Sequence, residues 1–348
     1  MHQLTYGDVK AAADRIAGRV RPVALAPADP GEVRAARRGP LGDRPEEASK
    51  VWLALEFMQH TGSFKARGAQ NFIQAHREAG TLPDAGVTIA SGGNAGLACA
   101  WAAQQQGVTA TVFLPTTAPA VKVAGLRGFG ADVRLVGAEY ADALAACEDF
   151  AATTGALASH AYDHPLIAAG AGTLLEEILQ QVPDLNTVVV AVGGGGLFAG
   201  VATAAQHHGV RVVAVEPENC RALNASIGAG RPVDVTVDSI AADALGARRA
   251  SAMALHAAQQ ADVHSVLVPD SEIVRARQAL WDHRRIAVEH AAATALAALT
   301  TPRHQASDRG LPATADFGYR PGDGEKVAVV LCGANTDPGD LAHQVEQG

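Results

Sequence analysis

The segment TGSFKARGA, residues 61–69, places Lys65 next to Phe64, directly after a small polar turn and at the predicted start of a helix. The helix dipole disfavours a positive charge at this end and therefore helps to keep the amine of Lys65 deprotonated. A lysine whose amine is partly neutral can act as a base or form a Schiff base with a carbonyl compound. A catalytic role for Lys65 would also require groups elsewhere in the chain that bind the reacting molecule.

A glycine-rich turn provides the most specific binding signal. The segment VVVAVGGGGLFAG, residues 188–200, predicts a strand, four consecutive glycines and a helix. Glycines let the backbone approach a phosphate closely, and the start of the helix offers free N–H groups. Gly194, Gly196 and Ala199 also fit a dinucleotide-binding fingerprint, and Glu216 follows about twenty residues later, where a ribose-binding acid would lie. The turn predicts phosphate binding and leaves an NAD-binding oxidoreductase as an alternative.

A second turn of the same kind lies in VTIASGGNAGLACAWAAQQQG, residues 87–107. Ser91 and Asn94 place a hydroxyl and an amide beside backbone N–H groups at the predicted start of a helix, an arrangement that suits a carboxylate. The alternative is an ordinary helix cap, in which the side chain of Ser91 or Asn94 accepts a hydrogen bond from the first helical turn.

The elements around these turns alternate between β-branched runs and alanine-rich runs. The predicted strands are 51–56, 87–90, 109–114, 132–136, 187–192, 210–216, 263–268 and 326–332. The predicted helices are 66–79, 95–106, 119–128, 140–154, 167–181, 197–208, 271–285 and 289–300, after an amphipathic surface helix near the start of the chain. Because most strands are continuous apolar runs, the pattern predicts an α/β protein with open parallel sheets and ligands at the carboxyl ends of the strands. Residues 28–49 and 302–325 are predicted to be polar loops.

Composition limits the class of protein further. The chain has 348 residues, 48% of them hydrophobic and 18% charged, which is typical of a globular protein of about two domains. A net charge of -8 without a long basic run argues against nucleic-acid binding, and no apolar stretch reaches the ~20 residues of a membrane helix. The four cysteines are far apart and no HExxH motif occurs, so neither a zinc site nor a disulfide framework is expected. A cytoplasmic location is expected.

Several motifs in order resemble the serine/threonine dehydratase (ammonia-lyase) family, pyridoxal-phosphate enzymes of the tryptophan-synthase β-like fold. The resemblance runs from about residue 20 to 340 and rests on TGSFKARGA (61–69), SGGNAG (91–96), GGGGL (193–197), VEP (215–217), ADALGA (242–247), VEHAAATALAAL (288–299) and LCGANTD (331–337). It implies two open, mostly parallel α/β/α sheet domains with pyridoxal 5'-phosphate in the cleft between them. The large domain would comprise residues 1–57 and 161–348 and the small domain residues 58–160. A homodimer and an amino-acid substrate are also implied.

The resemblance also implies a role for individual residues. Lys65 would form the Schiff base with the cofactor, and Cys332 would be the neutral partner of the pyridine nitrogen. The other cofactor-binding residues would be Phe64 and Ala244 beside the ring, Asn94 at its 3-hydroxyl, and Gly193, Gly194, Gly195, Gly196 and Leu197 at the phosphate. The substrate carboxylate would be held by Ser91, Gly92, Asn94 and Ala95. Glu216, with backbone carbonyls near Cys220, Leu245 and Ala247, resembles the family's cation site, here for a monovalent cation.

The implied reaction is the dehydration and deamination of L-serine or L-threonine to a 2-oxo acid and ammonia, with Lys65 as the base that removes the α-proton. A neutral thiol at Cys332 would not keep a proton on the pyridine nitrogen, which favours elimination over transamination. The alternatives are β-replacement, an ammonia-lyase acting on another β-substituted amino acid such as 3-hydroxyaspartate, and, in a different class, the NAD-binding oxidoreductase or a ligand-binding module without catalytic activity.

Some positions depart from the family pattern and concern the substrate more than the cofactor. Gly92 stands where the related racemases carry a second serine, whose hydroxyl can reprotonate the opposite face of the substrate, so racemisation is not expected. Ala222 replaces the Asp or Ser common at the cation site, Phe57 lies in EFMQ where Glu-Asn-Leu-Gln is frequent, and His290 follows Glu289 where the family has proline. The side chains of His160, Tyr162 and Asp163 either face the pocket or form an interdomain turn. An appended amino-acid-sensing domain is not expected.

Overall fold

A computed structural model describes residues 3–29, 49–300 and 318–342. Within these ranges the strands are β1 (Leu25–Pro27), β2 (Lys50–Ala54), β3 (Val87–Ala90), β4 (Ala110–Leu114), β5 (Asp132–Leu135), β6 (Leu157–Ala158), β7 (Thr187–Ala191), β8 (Arg211–Pro217), β9 (Val263–Val268) and β10 (Lys326–Val330). The α-helices are α1 (Tyr6–Ile16), α2 (Lys65–Glu78), α3 (Asn94–Gln105), α4 (Ala120–Gly128), α5 (Tyr140–Thr154), α6 (Pro165–Gln181), α7 (Gly196–His208), α8 (Ala222–Ala229), α9 (Ala242–Leu245), α10 (Ala252–Gln260), α11 (Asp270–Arg284), α12 (His290–Thr300) and α13 (Gly339–Ala342).

The strands form two separate sheets. The larger has the order β1-β2-β10-β7-β8-β9 and the smaller the order β5-β4-β3-β6. All neighbouring strands are parallel except β1, which pairs antiparallel with β2. Parallel neighbours need long crossover connections, which the intervening helices supply. The predicted fold class, α/β with mostly parallel sheets, is confirmed.

The core of the larger sheet is closely packed. Every residue of β7 is buried, because helices cover both faces of this central strand. Helices α6 and α7 approach each other very closely at two glycines: a Cβ on Gly172 would lie 2.6 Å from the carbonyl oxygen of Gly200. This contact sets the position of α7, whose first residues follow the glycine turn.

All eight predicted strands and all eight predicted helices between them are present, with bounds that differ by one or two residues at most ends. The sequence missed β1 and β6, which have three and two residues, and helices α8, α9, α10 and α13. The predicted first helix is α1, which begins after a capping box between Thr5 and Asp8 and buries Val9, Ala12 and Ile16. The two predicted loops comprise residues 28–49 and 302–325, and residues 30–48 and 302–317 of them lie outside the described residues.

Among the described residues, no helix combines the length and the apolar character that crossing a bilayer requires.

Candidate active site

A cleft of about 760 Å³ lies where the carboxyl ends of strands from both sheets meet. This volume lies within the range that is typical of small-molecule and cofactor sites. All residues predicted to bind cofactor or substrate line it: Phe64, Lys65, Ser91, Gly92, Asn94, Ala95, Gly193, Gly194, Gly195, Gly196, Leu197, Ala244 and Cys332. Glu216 does not line it. The structure therefore brings together one lysine, two glycine-rich turns and one thiol that lie far apart in the sequence.

Lys65 is the first residue of α2, as the sequence predicts. Its Nζ donates a hydrogen bond to the carbonyl oxygen of Ala161 at 2.9 Å and lies 4.9 Å from the centre of the Phe64 ring. Burial lowers the pKa of Lys65 to about 8, against the opposing effect of Cys332 and Glu289. The amine is therefore partly neutral near neutral pH. Burial is the largest cause of this shift.

The segment before Lys65 is tied to the end of β10. The backbone N–H of Phe64 donates to the carbonyl oxygen of Cys332 at 3.0 Å, and Ser63 forms a β-bridge with Gly333. Thr61 has a φ of 64°, a left-handed conformation that is uncommon outside glycine, and its carbonyl accepts a hydrogen bond from the side chain of Asn335 at 2.7 Å. These contacts fix the position of the first turn of α2, and therefore of Lys65, in the cleft.

The glycine turn leaves room only for backbone. Gly195 has a φ of 94°, and a Cβ there would lie 2.4 Å from the Cβ of Ala254. A Cβ on Gly194 would lie 2.4 Å from the ring of Tyr162. Since α7 begins at Gly196, the N–H groups of its first turn have no partner within the helix. The turn thus provides the bare backbone donors that a phosphate requires.

The turn before α3 is not closed by an ordinary side-chain cap. Gly93 is the N-cap residue and no side chain accepts a hydrogen bond from the first helical turn. The capping alternative for Ser91 and Asn94 is therefore wrong, and the N–H groups at the start of α3 can accept an anion as partner. A Cβ on Gly96 would lie 1.9 Å from the carbonyl oxygen of Ser91, so the turn also needs glycine at this position.

The side chain of Asn94 is directed to two residues that the sequence analysis did not include in the site. Its Nδ2 donates to Oε1 and Oε2 of Glu289 at 2.9 and 3.0 Å, and its Oδ1 accepts from Nδ2 of Asn335 at 2.7 Å. Glu289 is buried, and burial raises the pKa of its carboxyl group. The sequence signal for both residues is their position in segments that resemble the family: Glu289 lies in VEHAAATALAAL and Asn335 in LCGANTD.

Cys332 is a neutral thiol in this cleft. It is buried, and burial, with a smaller effect of Glu289, raises its pKa to about 12. A thiol with this pKa remains protonated throughout the physiological range. The prediction that Cys332 is an uncharged partner for a ring nitrogen is thus chemically consistent with its surroundings.

Glu216 lies beside the cleft rather than in it. Its two carboxylate oxygens accept hydrogen bonds from the backbone N–H groups of Leu223 and Asn224 at 2.8 and 2.7 Å, at the start of α8. Burial raises its pKa to about 7. The thiol of Cys220 donates to the carbonyl oxygen of Leu245 at 3.0 Å. In the described part of the chain, no cluster of three or more His, Cys, Asp or Glu side chains could hold a metal.

Residues 160–163 are expected either to face the pocket or to form a turn, and the structure shows one of these roles for His160 and the other for Tyr162. The Nδ1 of His160 accepts hydrogen bonds from the backbone N–H groups of Tyr162 and Asp163 at 3.2 and 2.8 Å, so His160 stabilises a turn. Tyr162, in contrast, lines the cleft with its ring against the glycine turn.

Comparison with known proteins gives a consistent result. A family model described as pyridoxal-phosphate dependent enzyme matches residues 38–333. The L-threonine ammonia-lyase of Geobacter sulfurreducens is 35% identical over 86% of this chain and 70% of its own length. A serine dehydratase-like protein of Rattus norvegicus is 36% identical over 82% of this chain and 85% of its own length. The structure of maize serine racemase superposes with a TM-score of 0.82 at 26% identity, covering 99% of this chain and 97% of that one.

Proposed function

Because the chain belongs to the family of pyridoxal-phosphate dependent enzymes, we propose that it dehydrates and deaminates L-threonine, L-serine or both to a 2-oxo acid and ammonia. The observation that carries the proposal is the single cleft that contains Lys65, both glycine-rich turns and the neutral thiol of Cys332. When bound, pyridoxal phosphate acts as an electron sink for the negative charge that develops at the α-carbon of the substrate.

The residues of the cleft fit this cofactor. We infer that Lys65 is the residue that would bind its aldehyde covalently, since the amine is buried and partly neutral. The backbone N–H groups of residues 193–197 would hold the phosphate, and the turn needs glycine at Gly194 and Gly195, where a side chain would clash with its neighbours. Phe64 and Ala244 would flank the ring, Asn94 would bind its hydroxyl, and Cys332 would be the partner of its nitrogen.

The substrate is held by the turn at residues 91–95, which places the start of α3 against its carboxylate. The amine of Lys65 removes the α-proton, because a base with a pKa of about 8 can both accept and return a proton near neutral pH. Holding the carboxylate at one fixed point orients the α C–H bond, which contributes to the rate through positioning alone.

We infer that the uncharged part of the lining that follows β4 faces the β-substituent, which would favour a small uncharged group. In the described lining it includes Leu114, Pro115 and Thr117. The cation nearest to these residues along the chain, Lys122, donates a hydrogen bond to Asp243 at 2.8 Å, and Arg248 is exposed at the rim. An acidic substrate such as 3-hydroxyaspartate would have to compete with Asp243 for Lys122. Serine and threonine carry no such charge.

Two other functions receive less support. The fold similarity to maize serine racemase favours racemisation, but that reaction needs a proton donor on the second face of the α-carbon, and Gly92 has no side chain to supply one. NAD binding would use Glu216 to bind a ribose, but both of its carboxylate oxygens accept hydrogen bonds from the backbone at the start of α8. β-Replacement uses the same cofactor site and is distinguished only by its products.

The test measures 2-oxo acid release by purified, cofactor-loaded protein with L-serine, L-threonine, D-serine and 3-hydroxyaspartate in parallel. Pyruvate or 2-oxobutanoate formed at catalytic rates, and lost in Lys65→Ala, would support the proposal. A protein that carries the cofactor but releases neither product would refute the dehydratase assignment and direct attention to replacement reactions. L-Serine and L-threonine are assayed side by side because one methyl group changes binding by only about 1–3 kcal/mol.

Further features implied by the family are also proposed for this chain. We propose two domains, residues 1–57 with 161–348 and residues 58–160, since the strands of the smaller sheet all fall in the second range. We also propose a cytoplasmic homodimer, and a monovalent cation near Glu216 held largely by backbone carbonyls. Sedimentation measures the oligomeric state, cell fractionation the location, and replacement of K⁺ by a bulky organic cation in the activity assay tests the cation.

A further inference from the structure

The amide of Asn94 has its orientation fixed from both ends. Its Nδ2 lies 2.9 and 3.0 Å from the two carboxylate oxygens of Glu289, and its Oδ1 lies 2.7 Å from the donating Nδ2 of Asn335. Asn335 is itself oriented, because the same Nδ2 donates to the carbonyl oxygen of Thr61 and its backbone N–H donates to Oε1 of Glu289. If the Asn94 amide were reversed, its oxygen would face the carboxylate and its N–H groups would face the donor of Asn335.

This arrangement leaves one donor of Asn94 free. The two oxygens of a carboxylate lie close together, whereas the two N–H bonds of an amide diverge in its plane. One hydrogen of Nδ2 is therefore shared by both oxygens of Glu289, and the second hydrogen points elsewhere. Asn94 and Glu289 both line the cleft, so this second N–H is the one that can reach a bound molecule.

We propose that Glu289 is a positioning residue that holds Asn94 with this one N–H directed at the ring oxygen of the bound cofactor. The inference rests on the proposed function and adds to it a residue that does not itself bind the cofactor. It assigns Glu289 a geometric role: both of its oxygens must be present to hold the amide of Asn94 in one orientation.

Glu289 could act on the cleft either by its geometry or by its charge. Glu289 is 8% exposed, and its backbone N–H donates a hydrogen bond to the carbonyl oxygen of Gly333. Gly333 also lies close to the side chain, because a Cβ on this glycine would be 3.1 Å from the carboxylate of Glu289. The charged or titratable groups that act on it are Lys65, Cys332 and Asp243. Lys65 and Glu289 have opposite charges, so Glu289 could also act on the cleft through its charge alone. The experiment must separate these two effects.

The variants Glu289→Gln and Glu289→Asp make this separation. Gln keeps the size and removes the charge and one acceptor, whereas Asp keeps the charge but is one methylene too short to reach Asn94. A positioning role predicts that both variants bind pyridoxal phosphate about tenfold or more weakly, the effect of losing a hydrogen bond to a charged group. It also predicts the same change in the absorption spectrum for both, because a donor to the ring oxygen stabilises its ionised form. A role through charge alone predicts that Glu289→Asp behaves as the wild type.

The matched control is Glu272→Gln, which replaces another buried carboxylate, 7% exposed, that does not line this cleft. Its spectrum and cofactor affinity should equal those of the wild type. A wild-type spectrum and affinity in Glu289→Gln, or in Glu289→Asp alone, would overturn the inference. If Glu289→Gln does not fold, Asn335→Ser removes the donor to Oδ1 of Asn94 and should produce the same spectral change. Absence of a cofactor band in the wild type would instead refute the proposed function itself.

Discussion

Replacing Arg67 by methionine tests whether a buried ion cluster holds the lysine-bearing helix in place. Arg67 lies two residues after Lys65 in α2 and is fully buried. Its guanidinium donates to both oxygens of Glu56, at 2.6 and 3.0 Å, and to both oxygens of Glu177, at 2.7 and 2.8 Å. It also donates to Thr173 at 3.2 Å. The cluster thus connects α2 with α6 and with the segment that follows β2.

The expected loss of stability follows from what the substitution leaves behind. Methionine would fill most of the space, but Glu56, which is 1% exposed, would lose its counter-charge while remaining close to Glu177. Removing one partner of a buried pair costs about 3–5 kcal/mol. Since a domain of ordinary stability unfolds with about 5–15 kcal/mol, the variant should lose a large part of its total stability.

The loss should depend on pH in a definite direction. Burial already raises the pKa of Glu56, and Arg67 partly offsets this rise. Without Arg67 the pKa of Glu56 in the folded protein would rise further above its value in the unfolded chain. A carboxyl group with a raised pKa binds its proton more tightly when folded, so the fold is favoured at low pH and this stability is lost as pH increases. The difference between variant and wild type should therefore shrink from pH 8 to pH 5.

The assay is urea unfolding of the cofactor-free protein, which avoids the stabilisation that a bound ligand adds. The control is Arg249→Met, because Arg249 forms an ion pair with Asp234 at 2.7 Å on the exposed surface. Exposed ion pairs contribute little to stability, so the urea midpoint of this variant should hardly differ from that of the wild type. Equal, small losses in both variants would refute the argument that the Arg67 cluster is energetically important. A loss that grew as the pH was lowered would refute the assignment of Glu56 as its cause.

Three further predictions concern the cleft. Burial lowers the pKa of Lys65 to about 8, and only the neutral amine attacks an aldehyde. The rate at which the apoprotein takes up pyridoxal phosphate should therefore rise with pH through about 8. A rate that is independent of pH between 6 and 9 would contradict this. Gly195→Ala should weaken cofactor binding at least about tenfold, as strain of about 1–3 kcal/mol at φ 94° implies, whereas Gly209→Ala, at φ 68° in open space, should not. Gly92→Ser should add racemase activity, which chiral chromatography would detect as D-serine formed from L-serine. The new side chain can be accommodated, because its Cβ would meet only the flexible end of Leu114, at 2.9 Å. Folded, cofactor-loaded protein that forms no D-serine would refute the role given to this position.

The elements of this fold could be predicted from sequence because each strand carries its own signal. β7 is a continuous apolar run between polar segments, and all of its residues are buried between helices. β1 and β6 are too short to produce such a signal, and β1 ends in proline. The order of strands within each sheet is a long-range property, since β10 lies between β2 and β7 although it is the last strand in the described chain.

The site was predictable to the extent that its chemistry is local. Lys65 and the glycine turn are recognisable from a few neighbouring residues, because a helix start or a tight turn restricts which residue types fit. The partners of Asn94 are not local: Glu289 lies 195 positions and Asn335 lies 241 positions further along the chain. No periodicity or spacing indicates that their side chains meet. Burial lowers the pKa of Lys65 to about 8, and the extent of this burial depends on the whole fold rather than on neighbouring residues.

The connection between Lys65 and Cys332 follows from these long-range contacts. The backbone of Phe64 is hydrogen-bonded to Cys332, and Ser63 forms a β-bridge with Gly333. The backbone just before α2 thus lies hydrogen-bonded beside the segment that follows β10. A shift of this segment should therefore move Lys65 and Cys332 together. Asn335 extends the same connection to Asn94 across the cleft. Lys65, Cys332 and Asn94 are therefore connected by one continuous set of hydrogen bonds, although their segments come from both sheets.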